Sequence, residues 1–374
     1  MTKILFLIHD LGVGGAEKVL VNLVNRMDRE KFDITVLSLF GGGVNEQFLA
    51  PHIRYRAVWP KAFPGNSKLM KLLTPAQLHK LCVKEHYDIE VAYLEGPAAR
   101  VISGCPDRET KLFCWIHIEQ HTRENAAGSF RSFEESRSCY ERFDQIVCVS
   151  DTVRRDFCAI YPSIGNAIVR YNTIETDRIM ALKDEAIEDV CFDLKEINLV
   201  AVGKISKNKG FDRLARIVKR LRADGFPIHL YALGVGGDED EIRAYLKENA
   251  LEPYYTFLGY QTNPYKYVAR CDLFVCASLA EGFSTAATEA LIVGTPVCTV
   301  EVSGMKEMLG EQNEWGVITE NDEAALYEGI RRLVDDPILL PHYRKQAAER
   351  GKSFSTENTV KAVEELFLKV EGRS

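Results

Sequence analysis

The stretch LFVCASLAEGFSTAATEALIVG, Leu273 to Gly294, decides how the chain folds. Its opening residues, Leu273 to Ala277, are continuously apolar, the pattern of a strand covered on both faces of a parallel sheet. After the turn Glu281-Gly282-Phe283 a helix opens at Ser284 or Thr285 and stops at Gly294. Such a unit puts first-turn N–H groups and the positive end of a helix dipole at the carboxyl end of a strand, where an anion is welcome. Glu281 in the turn and Glu289 about one turn into the helix then flank different parts of one ligand. Taken alone the two acids read as a loop charge and a solvated helix glutamate, so the neighbouring sequence has to decide.

The same strand, glycine turn and helix recur on both sides. Asn198 to Val202 leads into GKISKNKGFDRL, where Lys204, Lys207 and Lys209 lie in a glycine-bounded loop. Ile228 to Leu233 ends in Gly234-x-Gly236-Gly237, Tyr255 to Leu258 in Gly259-Tyr-Gln-Thr-Asn, and Thr295 to Val300 runs on toward Gly304. Five such units make a complete doubly wound domain, and Lys204 and Lys209 stand where that fold receives a nucleotide's phosphates. Asp238-Glu239-Asp240 imitates a metal-holding D-x-D, but it falls where a helix N-terminus favours acids, and capping is the reading adopted.

The N-terminal half starts alike, with KILFLIH from Lys3 to His9 followed by LGVGGAEKVLVNLVNRM. Glu17 occupies the third glycine position of a dinucleotide fingerprint, so Gly14 and Gly15 are read as letting the backbone approach a phosphate, with a plain tight turn as the competing reading. Phe32 to Phe40 is a second strand, Trp59 to Leu73 is irregular and basic, and Thr74-Pro75-x-Gln77 caps a helix running to about His86. Ile89 to Leu94 delivers Glu95 and Lys111 to His117 delivers His117 to carboxyl ends of strands, where open α/β sheets bind ligands; a structural histidine is the alternative. Ile146 to Val149 precedes a helix capped by Ser150, Ala167 to Arg170 closes the first domain, and Val360 to Val370 is a closing helix. The fold class is therefore α/β with two facing Rossmann-like domains, 1–175 with 356–374 packing back on it, and 190–355.

A chain of 374 residues exceeds what one hydrophobic core sustains, and 46% hydrophobic with 27% charged residues is ordinary for a soluble globular protein. The net charge of −7 lies wholly in residues 187–374, the first half being balanced, which argues against a general nucleic-acid binder. Neither a cleavable leader nor an apolar run of about 18 residues is present, so a cytoplasmic location is expected. The ten cysteines form no C-x-x-C pair, and neither they nor any His, Asp or Glu show ligand spacing, so reduced thiols and no metal cofactor are expected. Lys61 to Lys84 carries five lysines and no acid among Phe63, Leu69, Met70, Leu72 and Leu73, which fits a packed insertion or an anchor facing anionic lipid.

GGAE at Gly14 to Glu17, His117 after its strand, VSDTVRRDF from Val149, VGKISKNKGFDRL from Val202, LGVGG from Leu233, FLGY from Phe257 and EGFSTAATEALIVGTPV from Glu281 together resemble the family 4 retaining glycosyltransferases (glycosyl transferases group 1) of the GT-B fold, over nearly the whole chain. The resemblance implies a metal-independent, retaining transferase that moves a sugar from a nucleotide diphosphate, UDP expected, to a lipid-linked glycan at the inner membrane face, in surface polysaccharide or glycoconjugate synthesis. A nucleotide-sugar epimerase, a phosphorylase and a non-catalytic sugar-nucleotide-binding module are the alternatives. By position, Lys204 and Lys209 match the pair that holds the donor diphosphate, and Glu281 matches the acid on the donor sugar. Phe283, Ser284 and Thr285 supply backbone N–H groups, Glu289 matches the acid on the ribose, and Gln261 falls where the backbone reads the base. Gly14 and Gly15 approach the phosphate from the other domain, His117 lies by the reacting sugar, and Glu95 stands on the acceptor side. Glu281, His117 and Lys209 form the implied catalytic set. Lys204 where Arg is usual, Asn172-Thr173-Ile174 and the Ser284-Thr285-Ala286 run depart from the family pattern and bear on the choice of sugar.

Overall fold

Seven parallel strands build the first sheet of the computed structural model, which describes residues 1–370. They are β1 (Thr2–Ile8), β2 (Phe32–Phe40), β3 (Arg54–Trp59), β4 (Ile89–Ala92), β5 (Lys111–Ile116), β6 (Gln145–Cys148) and β7 (Ala167–Val169), in the order β3-β2-β1-β4-β5-β6-β7. Six more form the second sheet: β8 (Ile197–Val202), β9 (Ile228–Leu233), β10 (Tyr255–Gly259), β11 (Leu273–Cys276), β12 (Val297–Val300) and β13 (Val317–Thr319), ordered β10-β9-β8-β11-β12-β13. The strand order reverses once in each all-parallel sheet, between β1 and β4 and between β8 and β11, and a ligand crevice opens at such a switch point outside the carboxyl ends. The chain divides accordingly into two units, Met1–Thr173 with the C-terminal helix from Glu357, and Ile174–Thr356.

The central strands are those whose sequence is continuously apolar; Ile4 to Ile8 of β1 and Leu273 to Cys276 of β11 are all buried. The C-terminal helix Thr356–Val370 belongs to the first unit because it brings Phe367, fully buried, against Phe6, Phe32, Phe113 and Trp115, with ring centroids 5.0–6.5 Å away. Truncating Phe367 to Ala would open that cluster at a cost of about 3–5 kcal/mol.

Trp59 to Leu73 is not the irregular stretch its composition suggests. Arg54–Trp59 is an edge strand, half-exposed throughout, and Gly65, at φ +83, turns the chain into a helix over Asn66–Leu72. That helix is too short to hold itself and is clamped from outside. Buried Arg100 donates to the carbonyls of Met70 (2.6 Å) and Leu73 (2.7 Å), and Arg131 to those of Lys71 and Leu72 (both 2.6 Å). The last carbonyls of the helix thus meet two guanidinium groups, the charge a helix C-terminus prefers. The next helix has the expected capping box, with Thr74 Oγ1 accepting from Gln77 N–H (3.2 Å), but ends at Cys82 rather than near His86, because Val83 is already extended.

Candidate functional site

At the switch point of the second sheet the loops after β8 and β11 meet backbone to backbone. Gly210, at φ +69, lies so close to the end of β11 that a Cβ there would sit 2.1 Å from the Ala277 carbonyl oxygen. Gly236 packs as tightly on Ile205, and only glycine permits such approaches. The result is one joined surface: Leu279 N–H donates to the Asn208 carbonyl (2.8 Å), and Lys209 Nζ reaches Glu281 Oε1 at 2.6 Å. Ser278 Oγ donates to the same oxygen at 2.7 Å. Lys209 and Glu281, far apart in sequence, are thus one charged pair at a strand end. Lys204 is exposed in the same loop and, among the described residues, has no ion-pair partner. Ser278 is a residue that sequence reading passed over; its only signal was its place between β11 and Glu281.

The helix Thr285–Val293 begins where expected, with Ser284 as N-cap accepting from Ala287 N–H (3.4 Å). It is apolar around its circumference, yet carries Glu289 only 6% exposed. A carboxylate in such a setting has a specific task. Phe283 is buried against Gly304, which turns at φ +78. Gln261 is tied inward, its Nε2 donating to the Leu258 carbonyl (2.8 Å) and its Oε1 accepting from Tyr267 Oη (3.3 Å), so what it presents outward is backbone. The acidic run opens the helix Glu239–Glu248, whose first turn holds Glu239, Asp240 and Glu241. Asp238, however, makes no side-chain cap; its carboxylate accepts from Lys207 N–H (2.5 Å) and pins the lysine loop instead.

In the first unit, the helix Gly15–Arg26 starts directly after the glycine loop, with Gly14 as an extended N-cap that offers no side chain. Two acids lie there, Asp10, which nothing in the sequence singles out, and Glu17, the last residue of the GGAE motif. Asp10 Oδ1 accepts from Gly12 N–H (2.7 Å) while Oδ2 pairs with His9 Nδ1 (2.7 Å), a bond that holds the Asp10 carboxyl below its usual range. Glu17 folds under Gly14, and its burial, helped by the charge of Asp10, raises its carboxyl.

Beyond β4 and β5 the expected pair does come together, through main chain: Glu95 Oε2 accepts from the His117 N–H at 2.8 Å. Burial raises the Glu95 carboxyl. The His117 ring packs on Tyr93 at 5.1 Å, and burial pushes it down to about 4, so the imidazole is neutral at physiological pH. Its Nε2 is buried without a hydrogen-bond partner among the described residues. A neutral ring with one committed and one open nitrogen suits a hydroxyl rather than an anion.

Of the basic stretch, Phe63 packs on Phe40 and Trp59, Met70 is buried, and Leu69 and Leu72 are exposed beside exposed Lys61 and Lys68. Among the described residues no helix is long and apolar enough to cross a membrane. Against the expectation that no side chains gather at ligand spacing, two groups do: Glu119 with His121 and Asp156, and His79 with Glu90 and Cys105, each within 4.8 Å. Both join residues from separate elements, which spacing along the chain cannot disclose.

Residues 183–353 match the family described as glycosyl transferases group 1, and residues 13–178 match glycosyltransferase family 4, so that the two together span nearly the whole chain. The chain is 28% identical over 365 residues to the N-acetylgalactosamine-N,N'-diacetylbacillosaminyl-diphospho-undecaprenol 4-alpha-N-acetylgalactosaminyltransferase of Campylobacter jejuni, covering 95% of this chain and 96% of that one. Sucrose-phosphate synthase from Thermosynechococcus elongatus superposes with a TM-score of 0.79 at 16% identity over 100% of both chains. Anabaena HepE, solved with UDP and glucose, superposes at 0.76 with 17% identity, over 99% of this chain and 100% of that one. These two share the fold.

Proposed function

Since the chain belongs to the group 1 and family 4 glycosyltransferases, we propose that it moves a sugar from UDP to a glycan carried on a lipid diphosphate, with retention at the anomeric carbon and without a metal ion. The Lys209–Glu281 pair at the β8/β11 switch point carries this reading. A diphosphate leaving group gains charge as the sugar–oxygen bond breaks, and Lys209 and Lys204 supply the cations that a metal would otherwise provide. The arriving phosphate replaces Glu281 as the partner of Lys209, which leaves Glu281, still held by Ser278, to bond a donor-sugar hydroxyl. Glu289 takes the ribose hydroxyls, the backbone at Gln261 the base, and backbone N–H groups of Phe283, Ser284 and Thr285 at the helix start the phosphate and sugar.

In the transfer itself the acceptor hydroxyl oxygen bonds to the anomeric carbon from the face the diphosphate leaves, and its proton passes to a departing phosphate oxygen. Neutral His117 bonds a sugar hydroxyl through Nε2, with Glu95 bracing its main chain on the acceptor side. The name of the Campylobacter relative supports a lipid diphosphate acceptor, and the ligands of HepE support UDP. An acceptor of that kind places the enzyme at the inner membrane face, where exposed Leu69, Leu72, Lys61 and Lys68 fit an anionic lipid surface.

The test incubates the enzyme with a panel of UDP- and GDP-sugars, with and without an undecaprenyl diphosphate glycan, in the presence of EDTA. Slow hydrolysis of one UDP-sugar and fast transfer with acceptor are expected, chelator notwithstanding. Epimerised donor would identify an epimerase, binding without turnover a sugar-nucleotide module, and activity restored only by manganese would overturn the metal-free mechanism.

A further inference from the structure

The amino edge of the first sheet, opposite the strand ends just described, holds a second polar centre. Glu90, near the start of β4, is 2% exposed, and each of its oxygens faces a potential ligand of a soft divalent ion. Oε2 lies 2.8 Å from His79 Nε2, on the helix Pro75–Cys82, and Oε1 lies 3.8 Å from the Sγ of Cys105. All three residues are buried, and their ligand atoms lie within 4.8 Å of one another. Ligands at zinc's usual bond lengths around a tetrahedral ion stand about 3.3–3.6 Å apart, so shifts of roughly half an ångström convert these contacts into first-sphere spacing. The Asp107 carbonyl, 3.7 Å from Sγ, is the neighbouring oxygen that offers a fourth ligand.

The backbone around these groups is fixed. Gly104 lies so close to the start of the His79 helix that a Cβ would sit 2.0 Å from the Pro75 carbonyl oxygen. Arg142 donates to the Cys105 carbonyl at 2.8 Å. Charge argues the same way: one carboxylate, one thiolate and one neutral imidazole around a divalent cation sum to zero, the state that low-dielectric surroundings favour. A mixed nitrogen, sulfur and oxygen set selects zinc over magnesium or calcium.

We propose that His79 Nε2, Glu90, Cys105 Sγ and the Asp107 carbonyl form a structural zinc site. Binding replaces the Cys105 thiol proton and takes the Nε2 proton from a His79 imidazolium paired with Glu90, both released to solvent, which leaves the ring neutral with no redox change. Because the site lies at the sheet edge away from β1 and β4 carboxyl ends, its ion stabilises the fold and takes no part in the transfer; initial rates measured within minutes of adding EDTA are unaffected.

Cobalt(II) titration of the full-length, metal-stripped protein tests this. One equivalent should bind with a thiolate-to-cobalt charge-transfer band in the near ultraviolet, be displaced by zinc, and raise the melting temperature. Cys105→Ser should lose the band, whereas Cys82→Ser, buried on the helix that carries His79, should keep it. The Glu119, His121 and Asp156 group has no sulfur and cannot produce the band. A folded wild-type protein that binds no cobalt, or binds it without the band, overturns the proposal and leaves a buried imidazole–carboxylate pair; a band that survives in Cys105→Ser overturns it equally.

Discussion

The two switch points share a topology and differ in electrostatics. Between β8 and β11 the strand ends carry full charges, Lys209 on Glu281 with Lys204 nearby. Around β1, β4 and β5 three groups tend toward neutrality, the His117 imidazole held down and the Glu95 and Glu17 carboxyls pushed up by burial, while Asp10, bonded to His9, is the exception with a lowered carboxyl. One crevice suits a permanently charged ligand, the other the hydroxyls of a sugar. The same fold can therefore be fitted to either kind of ligand by what stands at the strand ends, with no change in strand order.

The largest effect expected from this contrast follows removal of a fixed charge. Lys209→Ala should lower kcat/KM by about 2–4 kcal/mol of transition-state stabilisation, roughly 30-fold to a thousandfold. Wild-type turnover in that variant would show that the charged crevice does not hold the leaving group.

Next comes the neutral side, read through acid stability. His117 has a folded value of about 4 against 6.5, so between those values the unfolded chain binds the additional proton. Its contribution is complete above pH 6.5 and is lost as pH falls through 4, up to about 3 kcal/mol. Glu95, with a raised carboxyl, works in the opposite sense, so the informative quantity is the difference between parent and His117→Gln. The offset between their urea midpoints at neutral pH should shrink as the pH falls to about 4.5, because only the parent loses the His117 contribution. Parallel curves would mean that His117 is not buried as a neutral ring.

A smaller split is expected inside the charged crevice. Glu289→Ala should weaken free UDP by about 1–3 kcal/mol, as loss of a buried acceptor does, whereas Glu281→Ala should leave UDP affinity near wild type and reduce turnover. Calorimetry with UDP alone checks both, and equal losses would reject the division of roles. The smallest step per residue belongs to the surface of the first unit: replacing Lys61, Lys68 and Lys71 by Glu should reduce cosedimentation with anionic liposomes, by about 1 kcal/mol per lysine, and leave donor hydrolysis intact. Liposome binding that survives the triple change, or that is absent in the parent, makes the stretch a packed insertion.

How much of this was visible beforehand follows from burial. β9 runs from Ile228 to Leu233 as its apolar run does, because a strand covered on both faces must be apolar along its length. β3 and the three-residue β13 escaped notice, since half-exposed edge strands carry polar residues such as Arg54 and Arg56 and leave no run to detect. The helix Asn66–Leu72 was equally hidden, because its carbonyls are satisfied by Arg100 and Arg131, distant in sequence. Lys209 and Glu281 could be named individually, but not their contact at 2.6 Å, which depends on how closely Gly210 lets two loops approach. Asp238 was placed correctly at a helix start, yet its carboxylate went to Lys207, a partner the local pattern does not contain.

That glycine-on-backbone packing also bears on how the enzyme can be re-engineered. Gly210 and Gly236 each face a neighbouring main chain with no room for a methyl group, so a saturation library should find almost no functional substitutions at either. Lys207, whose side chain is exposed while its N–H is pinned by Asp238, should accept many. Selection for a new donor sugar would then have to act on side chains such as Ser284 and Thr285, above an unalterable floor.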